Sequence, residues 1–393
     1  VRAPMKILMI SDVYFPRVNG VSTSIQTFRH ELELLGHETH LIAPAYPAAF
    51  VDEPRIERIG SSFVPMDPED RRMKGSAIRA IADRLAAERF DLVHIQTPFV
   101  AHYLGLQLAR RFGVPAIETY HTFFEEYLFH YVPFLPKSLL RAAARRFSRT
   151  QGNSVAALVV PSSAMRDVLA AYGVATPMHI IPTGIPLADF NGGEGTRFRA
   201  RLGVAAATPL LLFVGRVAHE KNIGFLLRAL ALARSQVPGI EMVIAGEGPA
   251  EASLRRETAR LGLQGGVHFV GYLDRKGELL DCYAAADAFV FASRTETQGL
   301  VLLEAMAVGL PVISTAVMGT RDIVGQRRGA LVPDDDESAF AGEVVRLIQD
   351  PELRAALSEQ ARAYAREWHA DALARRMAAL YAQVTAPGPT APR

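Results

Sequence analysis

Apolar runs without polar alternation recur along the chain. Each is followed by a stretch whose apolar positions repeat every three or four residues. KILMI reads as a buried strand, and VSTSIQTFRHELELL after it has helical spacing and stops at Gly36, a residue suited to the left-handed position past a helix end. The alternation continues with strands THLIAP and DLVHIQT, helix AHYLGLQLARRF ended by Gly113, strand PAIETYH, helix KSLLRAAARRFSRTQ, strand AALVVPS and helix SAMRDVLAAY. Buried strands separated by helices predict a parallel sheet covered on both faces. The segment PTGIPLADFNGGEGT (182–196) has no period and concentrates Gly and Pro, so it predicts a linker. Beyond it the pattern restarts with PLLLFVG, IGFLLRALALARSQ, IEMVIAG, AEASLRRETARLG, VHFVGYL, ADAFVFAS, GLVLLEAMAV and LPVIST, and closes on two helices and an Ala-rich last helix. The expected class is α/β, with two Rossmann-like, doubly wound parallel-sheet domains facing a cleft. The expected boundaries are 1–183 for the first domain, 184–368 for the second, 369–385 for a last helix packing towards the first, and 386–393 for a disordered tail. In such folds ligands sit at the C-terminal ends of the strands.

Composition narrows the class. Of 393 residues, 49% are apolar and 21% charged, which excludes a disordered or fibrous chain. The single cysteine, Cys282, rules out an intrachain disulfide and fits a reducing compartment. A net charge of +2 makes no case for a nucleic-acid partner, and none is expected. The N-terminal apolar run ends at Ser11-Asp12, too short for a signal peptide. The longest apolar stretch, Leu300 to Ile313, contains Glu304, Gly309 and Pro311 and falls short of the roughly 20 residues that span a bilayer. A cytoplasmic chain is expected, free to sit peripherally on the inner face of the cell membrane.

Four strand-to-helix loops of the second half carry candidate chemistry. In FVGRVAHEKN, Arg216, Lys221 and Asn222 lie at the mouth of a helix, where two cations and the dipole make either an anion site or a solvated basic loop. In IAGEGP, Gly246 and Gly248 bracket a turn whose backbone can approach a phosphate, or which is only a turn. In FASRTETQGLVLLEAMAVGLPVIST, Glu296 lies in the loop and Glu304 in the helix that begins near Gly299. A carboxylate among Leu302, Leu303 and Ala305 requires a partner. Residues 295–320 contain no Lys or Arg, so that partner is either the hydroxyls of a polyol ligand or a distant arginine. In VPDDDESAF, the Asp-x-Asp spacing of Asp334 to Asp336 suits a divalent ion, but these residues precede a helix and capping is the preferred reading.

The first half adds an anion-friendly turn at Asn19-Gly20 and His121 at a strand end. His121, Glu125, Glu126 and His130 contain neither a cysteine nor a tight His pair, so substrate contact suits His121 better than metal ligation. In the helix from Lys137 to Thr150, Lys137, Arg141, Arg145 and Arg149 share one third of the circumference, with Leu139, Leu140, Ala143, Ala144 and Phe147 opposite. After the apolar FHYVPFLP, this is the pattern of a helix lying on an anionic membrane surface, or of a surface helix whose apolar face packs on the sheet.

Together these motifs resemble the family 4 retaining glycosyltransferases of the GT-B fold, over nearly the whole chain. GRVAHEKN, GEGP and ETQGLVLLEAMAVGLPVI carry the resemblance, and VNGVS and HTFFEEY are similar to the subset acting on diacylglycerols or related lipid and mannosyl acceptors. The resemblance implies transfer of a hexose from a nucleotide diphosphate sugar, of the UDP-glucose or GDP-mannose type, to a hydroxyl acceptor such as a membrane lipid. It implies that Arg216 and Lys221 hold the diphosphate and that Glu296 with the backbone of Gly299 and Leu300 holds the sugar. Glu304 would bind the ribose, Gly20 would let the chain pass close to the phosphates, and His121 would touch the sugar near its reacting carbon. No cofactor and no metal are expected. Gln298 stands where many members carry Phe, which bears on the donor. Other readings of the architecture are a sugar-nucleotide epimerase or hydrolase, or a transferase with a soluble or polysaccharide acceptor.

Overall fold

The computed structural model describes residues 3–47, 51–64, 67–121, 137–275 and 277–386. The chain separates into two compact units, Val1–Gly184 with Ala370–Arg393, and Ile185–His369.

In the first unit, strands β1 (Lys6–Ile10), β2 (Glu38–Pro44), β3 (Ile56–Ile59), β6 (Leu92–Ile95), β7 (Ala116–Thr119), β8 (Ala157–Val160) and β9 (Met178–Ile180) form one seven-stranded parallel sheet. Its order is β3-β2-β1-β6-β7-β8-β9. A separate antiparallel pair joins β4 (Ser61–Val64) and β5 (Asp67–Met73). The helices are α1 (Gly20–Leu34), α2 (Gly75–Ala87), α3 (Val100–Phe112), α4 (Lys137–Gly152) and α5 (Ser163–Ala171). Local chemistry sets their ends. Asn19 caps α1 by accepting the Ser22 N–H at 2.8 Å, and Gly113, at φ 69°, ends α3 in the left-handed conformation. Phe99 offers α3 no capping side chain, and the buried carboxylate of Asp12, at the end of β1, accepts the Ala101 N–H at 3.1 Å instead.

In the second unit, β10 (Leu210–Val214), β11 (Glu241–Ala245), β12 (Val267–Gly271), β13 (Ala288–Phe291), β14 (Val312–Ser314) and β15 (Ala330–Leu331) form a six-stranded parallel sheet ordered β12-β11-β10-β13-β14-β15. Its helices are α6 (Gly195–Leu202), α7 (Ile223–Arg234), α8 (Glu251–Arg260), α9 (Glu278–Ala285), α10 (Leu300–Ala307), α11 (Thr320–Val324), α12 (Glu337–Gln349) and α13 (Pro351–Ala365). Phe213, Phe289 and Phe291 stack inside its core. The first and last residues of the unit are tied, since Ile185 forms a parallel bridge to His369 and donates to the Trp368 carbonyl at 2.9 Å.

The segment 182–196 contains the boundary between the two units, after Gly184, as its composition predicts, but it is not without structure. It carries a 3-10 turn at Leu187–Phe190 and the start of α6, and Phe190 and Phe198 are buried. Its glycines serve close packing. A Cβ at Gly193 or Gly195 would come within 2.4 Å of the Leu280 carbonyl or 2.3 Å of the Ala284 carbonyl of α9.

The last helix, α14 (Ala370–Val384), buries Leu373, Ala374, Met377, Leu380 and Tyr381 in the first unit, against Ile7, Met9, Ile25, Phe28 and Leu32. The Tyr381 hydroxyl meets His94 Nδ1 at 2.7 Å, and His94 Nε2 meets the Thr119 hydroxyl at 2.7 Å. Burial, and secondarily the nearby His121, pushes the His94 pKa down to about 3. An unfolded histidine takes its proton near pH 6.5, so between those values the unfolded state binds more protons. His94 therefore contributes stability that is present above about pH 6.5 and lost as pH falls, about 2 kcal/mol by pH 5. The expected result is that the melting temperature drops less between pH 7 and pH 5 in His94→Gln than in the parent. Parallel pH profiles from calorimetry would refute it.

Candidate active site

Both sheets reverse their strand order beside a central strand, at β1/β6 and at β10/β13. Loops leaving two such neighbours run in opposite directions and open a crevice at the strand ends.

In the second unit the crevice is bridged by charge. Lys221, in the loop after β10, places Nζ 2.5 Å from Oε2 of Glu296, in the loop after β13. Asn222 is left-handed (φ 55°) and donates its side-chain amide to the Ala292 carbonyl at 3.2 Å, which holds the two loops in register. Arg216 in the same loop is exposed and makes no side-chain hydrogen bond or ion pair with a described residue. Gly299 turns the chain into α10 with φ 95°, and Leu300 behind it is half-buried. Gln298 is buried beside them. The Glu296 carbonyl accepts the Gly319 N–H at 2.9 Å, and a Cβ on Gly319 would lie 1.9 Å from the Thr297 carbonyl.

Glu304 is buried on α10, and its partner is a distant arginine. Arg275 Nη2 lies 2.5 Å from Oε1, and the Tyr283 hydroxyl of α9 donates to Oε2 at 2.9 Å. Its burial therefore does not by itself demand a ligand. The Glu304 charge holds the Arg275 guanidinium far above its ordinary pKa, and burial pushes the Tyr283 hydroxyl well up, so it remains a proton donor.

Gly246 and Gly248 are required by the protein itself. A Cβ on Gly246 would lie 1.9 Å from the Gly215 carbonyl, and one on Gly248 would lie 2.4 Å from the Val217 carbonyl. The two loops pack backbone to backbone, with Val217 N–H donating to the Glu247 carbonyl at 2.8 Å and Ala250 N–H to the Val217 carbonyl at 3.0 Å. The glycines thereby hold the Arg216 loop, a role that IAGEGP alone does not reveal.

In the first unit the corresponding crevice holds Asp12, Gln96, Thr97 and His121. Asp12 accepts the Thr97 hydroxyl at 2.8 Å, and burial raises its pKa to about 6. His121 Nε2 meets Gln96 Oε1 at 3.0 Å, and burial lowers the His121 pKa to about 4. Gly20 opens α1 without a left-handed φ, and nothing lies within 4 Å of where its Cβ would be. Asp12 and Gln96 carry no sequence signal beyond their position after a buried strand.

Other candidates lie elsewhere. Asp336 caps α12 by accepting the Ala339 N–H at 2.9 Å, and Asp335 pairs with Arg294 at 2.8 Å. Glu125, Glu126, His130, FHYVPFLP and the tail 387–393 fall outside the described residues, as does the side chain of Lys137. On α4, Arg141, Arg145 and Arg149 are exposed, but Leu140 and Ala144 are buried in the first unit. The apolar face of α4 is thus divided, since Leu139 is 56% exposed and Ala143 is exposed as well. Among the described residues, the group of acids and histidines close enough to share an ion is Glu38, His40 and Glu88, where the Lys6 ammonium already pairs with both glutamates. No helix of the described residues is long and apolar enough to cross a membrane.

Comparison with known proteins identifies the family. Residues 18–189 match the glycosyltransferase family 4 model and residues 195–364 match the model for glycosyl transferases group 1. The chain is 32% identical over 363 residues to an alpha-monoglucosyldiacylglycerol synthase of Streptococcus pneumoniae, covering 89% of this chain and 80% of that protein. It is 29% identical to a GDP-mannose-dependent alpha-mannosyltransferase of Mycobacterium tuberculosis, over 93% of each. A sucrose-phosphate synthase structure from Thermosynechococcus elongatus superposes with a TM-score of 0.77 at 22% identity, over 97% of this chain and 99% of that one. The chain belongs to the family 4 glycosyltransferases of the GT-B fold and is a glycosyltransferase.

The glycines separate by mechanism. Gly319→Ala must displace the 296–299 loop and is expected to cost about 1–3 kcal/mol in urea unfolding. Gly20→Ala meets open space and an ordinary φ, and should stay within about 0.5 kcal/mol of the parent. Equal losses in the two variants would contradict this account.

Proposed function

We propose that this glycosyltransferase moves a hexose from a nucleoside diphosphate sugar, with retention of configuration, to a hydroxyl of a membrane lipid of the diacylglycerol type. The observation that carries the donor assignment is the second-unit crevice, where Arg216, without a side-chain partner among the described residues, stands in the same loop as Lys221 and Lys221 bridges to Glu296. A diphosphate arriving there meets two cations and the N-terminal end of α7, and Lys221 shares its charge between that anion and Glu296. Glu296 and the backbone N–H groups of Gly299 and Leu300 take the sugar hydroxyls, and Glu304 takes the ribose. Gly246 and Gly248 act by holding the Arg216 loop. Gly20 leaves room for a phosphate, since neither its φ nor its packing needs a glycine. His121, kept neutral by burial, touches the sugar near its reacting carbon.

In the step itself, the bond from the anomeric carbon to the phosphate oxygen breaks as the acceptor oxygen bonds to that carbon on the same face. The acceptor proton passes to the departing phosphate. Arg216 and Lys221 stabilise the charge that develops there, the work that a metal ion does in other transferases. Arg216→Ala should lower kcat/KM by the equivalent of about 2–5 kcal/mol of transition-state stabilisation. Turnover should survive EDTA. Activity lost in EDTA and restored by magnesium or manganese would overturn the metal-free reading.

The lipid acceptor is supported by the name of the 32% identical relative and by the exposed basic face of α4. Leu140 and Ala144 are buried while Leu139 and Ala143 are exposed, so attachment rests mainly on charge. At about 1 kcal/mol per basic residue near an anionic leaflet, Lys137, Arg141, Arg145 and Arg149 supply roughly 4 kcal/mol, which salt weakens. The protein should sediment with anionic liposomes at low salt, less with neutral ones, and release as salt rises. Changing Arg141, Arg145 and Arg149 together to Glu should abolish sedimentation and leave sugar-nucleotide binding intact. Sedimentation of the triple variant like the parent would remove α4 from the membrane contact.

A further inference from the structure

The Glu304 carboxylate is gripped from two sides by residues that the family motif does not include. Tyr283, 1% exposed, donates from α9 to Oε2 at 2.9 Å, a hydrogen bond from a packed ring to a packed carboxylate. Arg275 reaches Oε1 at 2.5 Å from the loop after β12, and its side chain is 34% exposed. These two contacts differ in kind. The tyrosine is locked by the core and fixes the rotation of the carboxylate. The arginine stands at the solvent boundary, offsets the charge and is bound through one terminal nitrogen. An ionised carboxylate has about four lone-pair sites, so two protein donors leave about two for hydroxyls of a ligand. Both residues thus constrain where a diol can bind.

We propose that Tyr283 and Arg275 are positioning residues that aim Glu304 at the ribose of the donor, and that this trio makes the site selective for a ribonucleotide over its 2′-deoxy counterpart. The proposal rests on the assignment of Glu304 to the ribose. A freely rotating carboxylate would still attract hydroxyls, but it would not hold two acceptor directions matched to a vicinal diol. With Tyr283 in place the acceptor directions are set before the nucleotide arrives, so losing one hydroxyl of the diol leaves an acceptor unmatched.

The test is calorimetric titration of the full chain with UDP, GDP and their 2′-deoxy forms, taking whichever base binds more tightly. The parent should prefer the ribonucleotide by about tenfold or more, the worth of one hydrogen bond to a charged group. Tyr283→Phe keeps the ring and removes the hydroxyl, and the preference should fall to within about twofold. Arg275→Gln should also reduce it, whereas Arg275→Lys, which keeps the charge, should restore part of it. The ratio is the diagnostic readout, because general damage to the fold would weaken both nucleotides alike. Arg275 lies in a loop, so its variants report even if Tyr283→Phe folds poorly. If Glu304→Gln collapses the preference while Tyr283→Phe and Arg275→Gln retain it, the positioning role is wrong and the ribose assignment stands. If Glu304→Gln retains the preference, or the parent shows none, the ribose assignment itself fails.

Discussion

A parallel sheet wound outward in both directions from a central strand must leave its C-terminal edge uncovered where the direction reverses. Here that happens beside β1 in one unit and beside β10 in the other. The rest of the candidate chemistry depends on those two openings. In each, a polar group on one loop crosses to the neighbouring loop: Asp12 to Thr97 in the first unit, Lys221 to Glu296 in the second. The crossover helices cannot fill the gap, so polar side chains line it, and this is where a ligand can replace a protein contact.

The two openings treat charge differently. In the first unit the groups are held uncharged or capped: His94 and His121 are kept neutral by burial, and the Asp12 carboxylate is occupied by a hydroxyl and the N–H at the start of α3. In the second unit charge is kept in excess, with Arg216 lacking a side-chain partner among the described residues while Lys221 has one. An unneutralised cation beside a helix N-terminus attracts an anion, whereas a neutral imidazole offers a hydrogen bond without repelling a cation or attracting a second anion.

Much of this architecture is legible in the sequence because buried parallel strands are continuous apolar runs, and KILMI, ALVV and LLLFV announce themselves. The elements that escape have a physical reason. The strand pair 61–64 and 67–73 contains DPEDRRM, too polar to look like a strand, and β9 and β15 are three and two residues long. The segment 182–196 is legible as the passage between units, but that Gly193 and Gly195 pack closely on α9 is invisible from composition. Arg216, Lys221 and Glu296 are legible as loop residues after buried strands. What holds Glu304 is not, since Arg275 lies 29 residues upstream and only the fold of β12, α9 and α10 brings them together. The amphipathic pattern of α4 fits a sheet and a membrane equally, and it does not reveal that Leu140 and Ala144 pack into the first unit while Leu139 and Ala143 stay exposed.

The last helix has a consequence for how the chain comes into being. Residues 370–384 complete the core that begins with Ile7 and Met9, and Tyr381 is fully buried there. The second unit lies between, with its first and last residues bridged through Ile185 and His369. During synthesis from the N-terminus, the second unit has all its own strands and helices before α14 leaves the ribosome, whereas the first, begun earlier, still exposes the surface of α1 that α14 covers. The half of the protein that starts first closes last. A stop just after His369 spares one complete unit and leaves the other with the apolar side of α1 open, a species that chaperones and proteases would recognise.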